Sequence, residues 1–206
     1  MADCCNDKAC EIEALRSRQS AVLKIVLGIN AVMFLVELTG GIVSGSVSLL
    51  ADSLDMLGDA LVYGFSLYVV ARGAHMKAQA ALLKGGIMAA FGLFVLGQAV
   101  HKIFFPHVPV FETIGGIGTL ALAANGLCLF LLWRHRTDDI NMSSVWLCSR
   151  NDIIANVSVL FAAAGVWLTG SGWPDVIVGF ALSGLFLRSA YSVLRDASVA
   201  LRKVDA

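Results

Sequence analysis

Charge is scarce in this sequence. Lys, Arg, Asp and Glu make up 15% of the 206 residues, where a soluble domain carries about 25%. The apolar stretches left between the charges are too long and too many for one soluble core, which excludes an ordinary soluble fold. The formal net charge is zero and no basic patch stands out, so nucleic acid is excluded as a partner. The first 20 residues hold no apolar stretch of the kind a cleavable signal peptide needs, and the first apolar span is expected to act as its own insertion signal. The motifs of enzyme chemistry are missing as well. No His-Glu-x-x-His, Ser–His pair or nucleotide loop occurs, and the chain reads as a non-enzyme. The cysteines are five, an odd number, and Cys128 and Cys148 lie in apolar runs, which argues against a secreted disulfide framework.

What remains is apolar: 58% of the residues are hydrophobic and the mean hydropathy is +0.79. Six runs near 21–44, 46–71, 79–104, 111–133, 144–169 and 174–196 are each long enough for a bilayer core, which takes about 20 helical residues. The expected fold is an all-α polytopic membrane protein with six transmembrane helices. Residues 1–20 form a cysteine-containing tail, 21–197 the six-helix domain and 198–206 a short second tail with no further domain. Connections are short and contain Gly, Pro or charge, as in Ser44-Gly45-Ser46 and Pro106-His107-Val108-Pro109. With six spans, both termini share a side that carries twelve Lys and Arg residues against Lys102 alone on the other. By the positive-inside rule both termini are expected in the cytoplasm. One parallel suggests an inverted three-helix repeat: Asn30 precedes Asp59 by 29 positions, and Asn125 precedes Asp152 by 27.

The second run carries Asp52, Asp55 and Asp59, whose three- and four-residue spacing puts them on one helix face. Each acid in a span costs about 2.5–3.5 kcal/mol, so three on one stripe point to a bound cation. The fifth run repeats the pattern with Cys148, Asp152 and Asn156 at every fourth position. Asp55 and Asp59 facing Asp152 and Cys148 would give four ligands from two helices, the number that tetrahedral Zn²⁺ takes. A thiolate among them favours Zn²⁺ or the softer Cd²⁺ over Mg²⁺ or Ca²⁺. Cys148 has a plain alternative as a small buried hydrophobe, and Asp152 has one as a salt-bridge partner of Arg150 or, better placed, Arg188. Cys128, with no acid at helical spacing, reads as inert. Asp52 reads as a supporting or proton-carrying acid. Asp175, after Pro174 at the start of the sixth run, reads as a helix cap. The tail's Cys4, Cys5 and Cys10 offer weak capture of a soft cation, against the alternative of a disordered terminus.

The stretch Gly45-Ser-Val-Ser-Leu-Leu-Ala-Asp-Ser-Leu-Asp-Met-Leu-Gly-Asp59 resembles the second-helix signature of the cation diffusion facilitator family of metal/proton antiporters. Asn30 and Glu37 match polar positions of that family's first helix, and Asn125 one of its fourth. Asp152 with Asn156-Val157 resembles the fifth-helix pattern His-x3-Asp-x3-Ser. Glu37 is expected to face the bundle and bond Asn30 or other polar groups. The resemblance implies a homodimer in the cell membrane that exports a divalent metal, Zn²⁺ or Cd²⁺, by alternating access in exchange for protons, with no permanent cofactor. Two departures matter. Cys148 stands where the family usually has His, and the chain ends at Ala206, as in a subgroup without the cytoplasmic C-terminal domain. A non-transporting membrane metal-binding or sensor protein is the alternative function.

Overall fold

The computed structural model describes residues 3–69, 74–133 and 140–204; within these, the side chains of 3–20, 62–63, 65–69, 74–78, 80, 84, 140–151, 200 and 203–204 lie outside the description. The described residues form six helices: α1 Asp3–Ser44, α2 Val47–Val69, α3 Ala74–Phe104, α4 Phe111–Trp133, α5 Ile140–Thr169 and α6 Trp173–Val204. No strand occurs among them. Each apolar run is covered by one helix, and α1 and α6 continue well beyond the runs.

Glycine and a serine cap set the first boundary. Gly45 takes the left-handed conformation with φ 66°, which a side chain would strain. The amide of Ser46 then reaches back to the Gly41 carbonyl at 2.9 Å and that of Gly45 to Ile42 at 3.3 Å, closing α1 in the Schellman manner. Ser46 starts the next helix by accepting the Leu49 amide on its hydroxyl at 3.1 Å. Gly170, with φ 63°, ends α5 in the same left-handed way.

Packing follows the small residues. α3 lies along α6, α1 against α2 and α4, and α4 against α5, while α2 touches α1, α3, α5 and α6. The outer surfaces carry large exposed hydrophobics such as Phe130, Phe161, Trp167 and Leu185, the arrangement that suits lipid. Among the described residues, five helices hold stretches long and apolar enough to cross a membrane: α1, α3, α4, α5 and α6. The sixth expected span falls on α2. Its 23 residues contain Asp52, Asp55 and Asp59, and no stretch of it long enough to cross avoids them. α2 is the helix with neighbours on most sides, which is where acids can be answered by protein.

The entry of α2 is fixed by α6. Asp175 is fully buried and accepts from Ser46 Oγ at 2.5 Å, Val47 N at 2.7 Å, Ser48 N at 3.1 Å and Ser48 Oγ at 2.6 Å. Lys102 of α3 stands 3.8 Å away. Asp175 lies in the first turn of α6 as expected, and its hydrogen bonds cap the N-terminus of α2 across the bundle, where free amides and the helix dipole attract a carboxylate. Gly179 of α6 permits the approach, since a Cβ there would fall 2.7 Å from the Val47 carbonyl carbon and 2.8 Å from the Ser48 amide nitrogen.

Removing the Asp175 carboxylate leaves buried donors unmet, at about 1–3 kcal/mol each. Asp175→Ala is expected to destabilise the protein by about 3 kcal/mol or more, read as a lowered midpoint in thermal unfolding of the detergent-purified chain. Ser48→Ala, which removes one donor and leaves the acceptor partnered, should lower it much less.

Candidate metal centre

Four acids from two helices meet around one cavity of about 530 Å³, lined by Asp52, Asp55 and Asp59 of α2, Asp152 of α5, and residues of α3 and α6 including Met88 and Phe186. The shared face of Asp52, Asp55 and Asp59 is as the helical spacing requires. Asp52 is 1% exposed and Asp152 7%, and Asp55 and Asp59 are half-buried. The carboxyl groups of Asp55 and Asp152 lie within hydrogen-bonding reach of each other. So α2 and α5 bring their acids together. No three His, Cys, Asp or Glu side chains among the described residues converge closely enough to hold an ion jointly.

Two asparagines secure this cluster from behind. Asn156 donates its amide to both oxygens of Asp52, at 2.9 and 3.0 Å. Its own carbonyl accepts from Asn125 Nδ2 of α4 at 3.1 Å. The chain Asn125–Asn156–Asp52 thereby joins α4, α5 and α2, and it turns the Asp52 carboxylate toward α5. The sequence picks out Asn156 by its spacing and Asn125 by resemblance, and the hydrogen bonds link the two.

Other expected residues fall differently. Asn30 is buried but gives its amide to the Val26 carbonyl of its own helix at 3.0 Å, and its side-chain oxygen has no hydrogen-bond partner. Glu37 is fully buried, and neither of its oxygens is hydrogen-bonded, so the expected Glu37–Asn30 bond is absent. The two lie seven residues apart on α1, about 10 Å along a helix axis, beyond side-chain contact. Arg188 is exposed on α6 and makes no ion pair with Asp152 among the described residues; the side chain of Arg150, the other expected partner, lies outside them. The side chains of Cys148, Cys4, Cys5 and Cys10 lie outside the described residues.

Cys128 reads from the sequence as inert. It is a free, buried thiol on α4, and the acids that act on it electrostatically are Asp59 and Asp152. Helical spacing within α4 carries no signal of this, because both acids belong to other helices.

Residues 23–201 match the model of the cation efflux transmembrane domain. The chain belongs to the cation efflux family. Similar relatives include the zinc transporter ZitB of Yersinia pestis, 26% identical over 191 residues that cover 84% of this chain and 60% of that protein. Others are the cadmium, cobalt and zinc/H(+)-K(+) antiporter of Bacillus subtilis and the metal cation efflux system protein CzcD of Cupriavidus metallidurans. Each is 25% identical over 193 residues, covering 84% of this chain and 61% of that protein. The chain thus spans about three fifths of the length of these relatives. With its apolar helices, it is a multi-pass membrane protein of a transporter family, not an enzyme family.

Truncating Asn156 leaves Asp52 and Asn125 both without their partner, whereas truncating Asn125 leaves Asn156 still bonded to Asp52. Asn156→Ala is expected to cost about 2–3 kcal/mol and Asn125→Ala about 1. Thermal unfolding of the two single variants and the double variant checks this, and the double should fall well short of the sum.

Proposed function

We infer that the chain exports a divalent transition metal, Zn²⁺ or Cd²⁺, from the cytoplasm by alternating access, in exchange for protons. The observation that carries this reading is the meeting of α2 and α5 acids around one cavity in a chain of the cation efflux family. The names of the relatives, which include zinc, cadmium and cobalt, support the choice of metal. Asp55, Asp59 and Asp152 supply the carboxylates, and Cys148, one turn before Asp152 on α5, supplies a thiolate. Both termini face the cytoplasm in this reading, which follows from the Lys and Arg distribution.

The proton linkage follows from the ligands. A carboxylate or thiol binds metal only after losing its proton, so metal and protons compete for the same atoms. Joint ionisation of carboxylates as close as Asp55 and Asp152 is disfavoured until a cation is shared between them. Protons arriving from the outer side therefore expel the metal there, and the protonated cluster is neutral enough to return through an apolar bundle.

Flux of Zn²⁺ and Cd²⁺ into proteoliposomes tests the reading. Wild type should transport both, faster with a pH gradient opposing the metal, and Asp55→Ala/Asp59→Ala should abolish flux and weaken binding at least about tenfold. Zn²⁺ binding that survives intact in the double variant overturns the site. Binding without flux in wild type points instead to a sensor. Cys148→His should shift the preference between Cd²⁺ and Zn²⁺ toward Zn²⁺; an unchanged ratio removes Cys148 from the ligand set.

A further inference from the structure

Glu37 is a fully buried carboxylate with both oxygens unbonded among the described residues. A charge in that condition inside a bundle surrounded by lipid is costly, and Glu37 sits next to further negative charge. α1 and α2 run antiparallel, and two contacts fix their register. Met33 shares an apolar cluster with Met56, and a Cβ on Gly41 would touch Leu50 at 2.8 Å. Glu37 lies one turn from Met33 and one turn from Gly41, on their face, and so opposite the stretch of α2 that holds Asp52. The two acids whose charge acts on it are Asp52 and Asp55.

Asp52 is the complementary half. Asn156 donates to both of its oxygens, at 2.9 and 3.0 Å, which orients the carboxylate while leaving further lone pairs on each oxygen. Glu37 and Asp52 thus offer four carboxylate oxygens in a buried place, with no nitrogen or sulfur among them. That donor set suits a hard or borderline dication. The geometry points to a second divalent-cation station, built from Glu37 and Asp52, one helical turn along α2 from Asp55 toward its Asp175-bound end. It rests on the reading of Asp55, Asp59 and Asp152 as the first station, from which it receives the ion. Asp52 and Asp55 are adjacent turns of one helix, so two dications there repel each other strongly, and the stations are filled in sequence.

Mn²⁺ binding to the full chain in nanodiscs, read from the loss of the free-ion paramagnetic resonance signal, tests the station; thiols hold this oxygen-preferring ion weakly, which keeps the cysteines out of the measurement. Asp59→Asn/Asp152→Asn should leave one Mn²⁺ bound at least about tenfold more weakly than in wild type. Adding Glu37→Gln should abolish that residual binding, and adding Glu37→Asp, which keeps the charge on a shorter arm, should retain part of it. Glu37→Gln replaces the buried carboxyl by a neutral group of the same shape, so its thermal midpoint should hold, which separates lost binding from lost folding. Absence of residual binding in the double variant, or residual binding indifferent to Glu37→Gln, overturns the second station and leaves the first intact. Wild-type affinity in the double variant overturns the first station; if Glu37→Gln then removes it, the second stands alone.

Discussion

The constraint on which this structure turns is the cost of a carboxylate away from water. Every buried acid in the bundle must be answered by donors, by another acid sharing a proton or a cation, or not at all, and the described acids divide along those lines. Asp175 is met by two amides and two hydroxyls, with Lys102 at 3.8 Å. It has no unmet capacity that calls for a cation, and its place is structural. Asp52 is half answered, by one amide group shared over both oxygens. Asp55 and Asp152 meet each other, an arrangement that favours a shared proton or a shared dication over two free charges. Glu37 has no hydrogen-bond partner among the described residues. The degree of satisfaction thus falls along the series from Asp175 to Glu37, and the capacity to take up a mobile positive charge rises along it.

The same constraint explains why α2 is held so firmly at one end. The acids of α2 can bind together with Asp152 only if the helix is set in depth and rotation to within a fraction of an ångström. Asp175 and the bare backbone of Gly179 fix the first turn of α2 against α6, and Asn156 fixes Asp52 against α5. The residue count from Ser48 to Asp52 is one helical turn, so the two attachments leave little freedom between them. Farther along, Asp55 and Asp59 are half-buried and line the cavity.

Much of this was legible in the residues. Apolar length marks a membrane helix because the bilayer has one thickness, so the six runs mapped onto six helices with the loops at Ser44-Gly45-Ser46 and Gly170-Ser171-Gly172 in place. The stripe of Asp52, Asp55 and Asp59 follows from 3.6 residues per turn alone. What the sequence could not convey is contact between helices. Asp175 was read against its own helix because the sequence shows only its own helix; its true partners are 127 to 129 positions away. Cys128 has no acid neighbour within α4, and the acids that act on it come from α2 and α5. Glu37 and Asn30 look paired as two polar residues of one apolar helix, yet two turns of rise separate them. Asn156 was legible as a position on the α5 stripe but not as the link between Asn125 and Asp52.

The arrangement of donors also bears on which ions such a protein can favour. Among the described residues, the thiol near the acids is Cys128, in electrostatic reach of Asp59 and Asp152, and by position in the sequence Cys148 lies one turn from Asp152. The anionic donors that Glu37 and Asp52 offer are oxygens. A soft ion is held best at the thiol side and poorly by carboxylates alone; a hard ion binds on the oxygen side and has little to gain from sulfur. A borderline ion such as Zn²⁺ is accepted by both sets, so its binding free energy changes least between them. Transfer between two stations is fastest when neither is a deep trap. On that ground the proposed pathway favours an ion of intermediate softness by the evenness of its stations rather than by the tightness of either one, and a single change of donor type at one end is enough to tilt it.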